Sequence, residues 1–357
     1  MVGATPRFAV QSDLGITNQI QCCTNLSQAN WVALTNLLVA QSPYWFVDVA
    51  APPDSQRFYQ VVALPTNGPG FTWINQPMPN PQMMNGGTAT AFGNGVFCVT
   101  GYGPYWTDTS PDGVHYTYGP TCMSSANWSG MAYGNGLFVV VGSAGAFSNY
   151  SRDGLNWLAS PSPMLLNAEA VCFGNNRFVL IGPGGPTSYS DDGIHWSTGG
   201  TLGYPAYAIT YGNGLFVVVG NFFAYPFGCV WTSTDGINWT PGTCPGKNWK
   251  TVTYGNGLFV ACTGDNSGYA MTSPDGLIWT LRTCPPIYGV ASCYGGGVFV
   301  VVGGQSGFSS IIASTDGVNW TQRVNDVSPE DYLFTVSYGN GIFLACRNTT
   351  GYYTSGP

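Results

Sequence analysis

From residue 87 onward, short apolar runs recur at a steady interval, most of them punctuated by a Gly-Asn-Gly step and then an Asp-Gly step. The most regular copy reads Tyr211-Gly-Asn-Gly-Leu-Phe216 and runs on into Val217-Val-Val-Gly220. This phrase starts seven times, at Phe92, Tyr133, Phe173, Tyr211, Tyr254, Tyr294 and Tyr338, with spacings of 41, 40, 38, 43, 40 and 44 residues. A second phrase, Ser-x-Asp-Gly-x-x-Trp/Tyr, follows in six of the copies, with its aspartate at Asp112, Asp153, Asp192, Asp235, Asp275 and Asp316. Asn-Gly between two apolar runs predicts a hairpin, because a type I′ turn needs positive φ at both central residues. The run after it, apolar at nearly every position, predicts a strand covered on both faces.

In the second phrase the aspartate can accept from turn amides and the glycine supplies positive φ. The aromatic that ends it, at Tyr116, Trp157, Trp196, Trp239, Trp279 and Trp320, falls on the next strand as a packing plug. Each repeat therefore predicts four strands. A period near forty with four strands per unit predicts an all-β, seven-bladed β-propeller of four-stranded antiparallel blades. The position before each motif aromatic is small (Ala91, Ala132, Cys172, Thr210, Thr253, Cys293, Ser337), which suits an innermost strand crowded around a central channel. The last copy ends at Ser355 without its Asp-Gly-x-x-Trp, while Gly70-Phe-Thr-Trp73 stands near the other end without a first half. These read as two pieces of one blade, so that an N-terminal strand around Gly70–Trp73, with Trp73 as the seventh plug, completes the C-terminal sheet and removes its free edge.

The division that follows is a propeller over residues 70–357 and a separate arm over residues 1–69. Residues 1–26 read as an extended stretch. Residues 27–41 read as a short helix capped by Ser27 and stopped before Pro43, with Trp31, Leu34, Leu37 and Leu38 on one face. Trp31, Leu34 and Leu38 are the residues expected to anchor the arm, either against the ring or on a neighbouring subunit. Two further runs, 44–49 and 58–63, read as strands that extend the last blade or pair with another chain.

Composition narrows the surface chemistry. Charged residues are only 7% of the chain, against about 25% in ordinary domains, so Ser, Thr, Asn, Gly and Tyr must dominate the outside. A net charge of −7 with nine basic residues speaks against a nucleic-acid partner. There is no run of 18 apolar residues to span a membrane and no apolar leader segment, so secretion is not expected. Eleven scattered cysteines favour a reducing compartment. Cys172, Cys293, Cys262 and Cys346 read as small buried residues. Cys122, Cys244 and Cys284 recur on the connections between blades, too far apart to pair with one another.

Candidate chemistry is sparse. The two histidines, His115 and His195, fall inside the Asp-Gly phrase, where other copies carry Asn, and so read as repeat variation. No metal ligands, cofactor or phosphate loop are expected. The acidic group Asp326, Glu330 and Asp331 reads as a solvated loop. Two aromatic loops, Tyr102, Tyr105 and Trp106 in the first blade and Phe222, Phe223, Tyr225 and Phe227 in the fourth, are the candidate binding elements.

The second phrase resembles the Asp-box of sialidases, Ser-x-Asp-x-Gly-x-x-Trp, except that Asp and Gly are adjacent here. In that family the box is a structural turn remote from catalysis. The family's chemistry needs an arginine triad and a Tyr–Glu pair, which seven arginines and two glutamates scattered along this chain do not supply. The paired phrases over 70–357 also resemble the propellers of bacteriophage structural proteins. That resemblance implies a non-enzymatic virion component, made in the host cytoplasm: a tail-fibre, baseplate or capsid-decoration protein with the ring outward. It further implies an arm docked on other virion proteins and host-surface glycan as a further partner. A carbohydrate-binding propeller lectin is the alternative. A lectin predicts like residues at one loop position of every blade, whereas Pro120-Thr-Cys-Met, Pro161-Ser-Pro-Met, Leu202-Gly-Tyr-Pro and Pro241-Gly-Thr-Cys differ.

Overall fold

The computed structural model describes residues 7–10, 17–23, 32–38, 44–47, 58–64, 73–76, 87–101, 107–119, 127–142, 148–161, 167–220, 229–305, 308–326, 332–347 and 352–355. They fall into two compact units, one within residues 1–71 and one from Thr72 to Ser355. Every regular element described is a β-strand, and no helix among the described residues is long and apolar enough to cross a membrane.

The larger unit is the seven-bladed propeller, seven antiparallel sheets of four strands each. Six blades are continuous in sequence: Gly87–Tyr118, Trp128–Ala159, Ala170–Thr201, Ala206–Gly242, Trp249–Thr283 and Gly289–Asp326. The seventh takes three strands from Leu333–Ser355 and its outermost from Trp73–Gln76, with Ser355 opposite Trp73 and Tyr352 opposite Gln76. Ring closure by an N-terminal strand is therefore present, with the strand lying just after Gly70–Thr72, which are outside the described residues.

Inside a blade the expected turns are built. Asn94, Asn135, Asn213, Asn256 and Asn340 have φ of 47–50°, each followed by a glycine with positive φ. The motif phenylalanines Phe97, Phe138, Phe178, Phe216, Phe259, Phe299 and Phe343 are essentially fully buried, between the second strands and their neighbours. The cores are shared between blades. One cluster joins Val217, Val219 and Val230 of blade 4 to Trp249, Phe259, Met271 and Trp279 of blade 5. Another joins Leu344 and Cys346 of blade 7 to Phe97 and Val99 of blade 1, which closes the apolar wall as well as the hydrogen bonding.

A contact that the motif alone does not disclose locks blade to blade. A Cβ added to Gly93 would sit 2.1 Å from the ring of Tyr133, and one on Gly212 would sit 2.0 Å from the ring of Tyr254. The same holds at Gly134 on Phe173, Gly174 on Tyr211, Gly255 on Tyr294, Gly295 on Tyr338 and, across the closure, Gly339 on Phe92. The aromatic that opens each phrase thus packs face-on against the glycine of the preceding blade. Each aromatic also tilts against its own motif Phe, with ring centroids 4.6–4.9 Å apart.

The smaller unit departs from expectation. The stretch read as helical carries a strand, Val32–Leu38, and Leu34 and Leu38 lie on it; Trp31 is outside the described residues. Val32 and Thr35 are β-branched and favour extended backbone, and the strand pairs with Thr17–Cys23 through six residues, with a register shift at Leu34. Thr17–Cys23 is the centre of a three-stranded sheet, with Phe58–Leu64 on its other edge. Arg7–Val10 pairs with Tyr44–Val47. The two strand-like runs are thus strands, paired within this unit and not with the last blade.

The cysteines give a second correction. Cys244 forms a disulfide with Cys229, just before the third strand of its own blade, with Cα atoms 6.1 Å apart. The expectation considered pairing between blades, where the distances forbid it; the bridge instead ties the two ends of one hairpin. Cys262 and Cys346 are fully buried as expected, while Cys172 and Cys293 are only partly so.

Candidate functional site at the channel mouth

The six Ser-x-Asp-Gly turns absorb the groups that most invite a catalytic reading. In blade 4 the Ser233 hydroxyl accepts from the Gly236 amide at 2.8 Å and donates to Asp235 Oδ1 at 2.9 Å. Asp235 Oδ1 accepts the amides of Ile237 and Asn238, and Oδ2 accepts the Asn238 side chain at 2.8 Å. The other five turns repeat this bonding, except that Ile278 replaces the polar side chain in blade 5. His115 and His195 take the Asn role, donating from Nδ1 to Asp112 and Asp192 at 2.6 and 2.7 Å. Slight burial pushes the Asp153 carboxyl upward, but hydrogen bonds from Asn156, Leu155 and Ser151 outweigh it and hold the group down at about 2. These aspartates are ionised turn acceptors, as the sequence implies.

The plugs follow suit. Trp157, Trp279 and Trp320 donate from Nε1 to the carbonyl of their own turn glycine at 3.0–3.1 Å. Trp196 is buried, and Trp73, Tyr116 and Trp239 are partly so. The arginines are dispersed: Arg177 bonds Asp191 and the Asp235 carbonyl, Arg282 bonds Thr272, and buried Arg347 stacks on Tyr353. Among the described residues no three His, Cys, Asp or Glu side chains converge as metal ligands. The aromatic loop residues Tyr102, Tyr105, Trp106, Phe222, Phe223, Tyr225 and Phe227 lie outside the described residues, as do Glu330 and Asp331.

Where the chain concentrates unrepeated chemistry is one end of the central channel. In six blades the innermost strand carries a β-bulge, with the register slipping across Thr88, Ser129, Tyr207, Lys250, Val290 and Phe334. In blade 3 the same place is Glu169, whose amide bonds the Ile181 carbonyl at 2.8 Å. A bulge re-aims a side chain, and all seven of these residues line a cavity of about 330 Å³. Each is the fourth residue before its motif aromatic. That regularity was available in the sequence, but the position looks like noise because no two copies agree.

The mouth is polarised. Lys250 Nζ lies 4.0 Å above the Tyr207 ring, a cation–π contact, and the lysine stem packs against Gly264. Burial lowers the Lys250 pKa from its usual value, and the charge of Glu169 acts against that. Below them the Thr251 and Ser292 hydroxyls line the same cavity without a hydrogen-bond partner among the described residues. Val290 and Phe334, on the next two blades, add apolar lining. A cation, an acid, a phenol and two hydroxyls beside apolar lining suit ligand binding. Neither histidine lines this cavity, and each is held in its turn.

A second cavity of about 400 Å³ opens between blades 3 and 4, lined by Thr201, Leu202, Tyr204, Trp231, Trp239 and Pro241. Gly200 makes this close approach possible: its amide bonds the Ile237 carbonyl at 3.1 Å, and a Cβ there would meet that oxygen at 2.6 Å.

Elsewhere among known proteins the ring has many structural counterparts. No family model matches the chain, and no curated protein matches it in sequence. YCF48 from Cyanidioschyzon merolae superposes with a TM-score of 0.60 at 14% identity, over 80% of this chain and 99% of that one. Virginiamycin B lyase from Staphylococcus aureus gives 0.66 at 11% identity, over 81% of this chain and 100% of its own. A streptogramin B lyase gives 0.67 at 10%, over 80% and 97%. At these identities the likeness is one of fold, and that fold is shared by two lyases and by YCF48.

Proposed function

We propose that the protein is a non-enzymatic structural component of a phage particle, a rigid ring displayed outward whose channel mouth receives a ligand, with the unit of residues 1–71 docked on a neighbouring particle protein. One observation supports it above the rest. The repeated aspartates and histidines are all engaged in turns, and an unrepeated set of polar side chains gathers at the mouth with no nucleophile–base pair among its described lining residues. The paired phrases, which resemble those of phage propellers, supply the setting. The decisive experiment compares the solution mass of the full chain with that of a chain beginning at residue 66. Self-association of the full chain beside a folded monomeric ring supports a docking unit. Two well-behaved monomers remove the support for docking.

The cleft between blades 3 and 4 favours a second reading, carbohydrate binding. Tyr204 and Trp239 offer aromatic faces and Thr201 a hydroxyl, the pairing that a pyranose uses. Saturation transfer from the full chain to a panel of disaccharides (lactose, maltose, cellobiose, chitobiose) tests it. Transfer that disappears in Tyr204→Ala supports a single-site lectin, and no transfer to any member removes it.

A further inference from the structure

Cys244 and Cys284 occupy one position in successive blades, each five residues after the plug tryptophan, Trp239 or Trp279. In blade 4 that cysteine is already bridged, to Cys229. In blade 5 the place of Cys229 is taken by Tyr269, and Cys284 packs against the apolar cluster at the next seam instead. Its thiol meets that of Cys262 on the second strand, in side-chain hydrogen-bond contact. Both sulfurs belong to one apolar cluster with Ala270, Ile287, Val301 and Ile312 at the seam of blades 5 and 6. Cys262 is fully buried, and Cys284 is partly open to solvent.

We infer that Cys262 and Cys284 are a dithiol site that a hydroperoxide oxidises to a second disulfide, stapling the connection between blades 5 and 6 to the core of blade 5. The open member reacts first. The Cys284 thiolate attacks the peroxide, the O–O bond breaks, and a sulfenic acid forms with loss of hydroxide or alkoxide. The Cys262 sulfur then displaces the sulfenic oxygen as water, leaving an S–S bond. Two thiols are oxidised and one peroxide is reduced. The contact itself favours this order: the Cys262 thiol donates to Cys284, which lowers the Cys284 pKa and raises that of Cys262. The site stands independently of the proposed role of the ring.

The experiment uses the full chain, with hydrogen peroxide as oxidant and peptide mass spectrometry after alkylation. Expected is a loss of two alkylatable thiols and a cross-linked pair of peptides holding Cys262 and Cys284, with the Cys229–Cys244 link unchanged. The thermal midpoint rises by roughly 5 °C on oxidation, as closing a loop of this length gives. Cys262→Val, which places there the residue of Val219 in blade 4 and of Val302 in blade 6, abolishes both effects while folding normally. Recovery of both cysteines as free thiols overturns the inference. So does Cys284 recovered as sulfinic acid, or bridged to any cysteine other than Cys262.

Discussion

The innermost strand of each blade has two ends that obey different rules. At one end an aromatic and a glycine recur in all seven copies, and each aromatic ring is seated on the glycine of the blade before it. Four residues away, at the bulge or its blade 3 counterpart, Thr88, Ser129, Glu169, Tyr207, Lys250, Val290 and Phe334 share a position relative to the motif and nothing else. The first end is constrained because its neighbours are backbone and ring atoms with no room to give. The second is unconstrained because its side chains enter an open channel. Repetition therefore marks where this fold is held together, and variation at a fixed register marks where it can recognise something.

Substitutions at the glycine end break this contrast most severely. Gly212→Ala would place a carbon 2.0 Å from the Tyr254 ring, which is itself packed against Phe259 at 4.6 Å between centroids. The expected loss is about 4 kcal/mol or more, at the upper end for overpacking, read from denaturant unfolding. Adding Tyr254→Ala should restore part of it, because the two substitutions act on one contact. A Gly212→Ala protein of unchanged stability would show that the ring does not sit on the glycine.

A smaller effect, of opposite sign, comes from the third strands. Trp231 in blade 4 and Asp108 in blade 1 occupy equivalent places, and both are essentially buried. Burial pushes the Asp108 carboxyl up to about 7, and its Oδ2 has no hydrogen-bond partner among the described residues. The folded state therefore holds a proton that the unfolded chain releases above about pH 4. Stability should fall as pH rises from about 4 to 7 and then level off. Asp108→Asn, which copies Asn149 of blade 2, should remove that slope and stabilise the protein at pH 8 by about 2 kcal/mol. Thermal unfolding from pH 4 to 8 checks it.

The turns behave in the reverse sense. Asp153 is held down at about 2, so what it contributes is present above its ordinary value near 4 and is lost as pH falls through 2. Asp153→Ala should cost about 1 kcal/mol at pH 7, like a lost cap, and the two proteins should converge near pH 2.

Much of this was legible in the chain. Asn-Gly and Asp-Gly admit few backbone conformations, so the hairpins, the blade count and the closing strand could be read from spacing. The seating of Tyr254 on Gly212 could not, because it joins residues of different blades. The bulge was missed because a strand pattern counts alternation, and a bulge shifts it by one. Residues 32–38 misled because Leu34, Leu37 and Leu38 satisfy helical spacing, while the ladder that decides the matter is made with Thr17–Cys23. Cys229 pairs with Cys244 through a register that the hairpin sets and cysteine spacing alone does not.

The smallest effects on stability are expected at the mouth, and they sharpen the comparison most. Lys250→Met keeps the stem against Gly264 and deletes the charge, and it should move stability by no more than about 0.5 kcal/mol. Glu169→Gln should leave the fold equally intact while lowering the Lys250 pKa further, since the acid is what opposes desolvation there. Tyr207→Leu should act in the same direction by removing the ring beneath the ammonium. Because that pKa is depressed in the folded state, the unfolded chain binds the proton more tightly. The cost of burying the charge is thus present at neutral pH and relieved as pH rises toward 10. An NMR titration of the Lys250 side chain in the three proteins reads all of this directly. If the Lys250 titration ignores Glu169, the two side chains do not share one site. If it shifts while stability moves by no more than about 0.5 kcal/mol, these positions are free of structural duty and open to selection for a ligand.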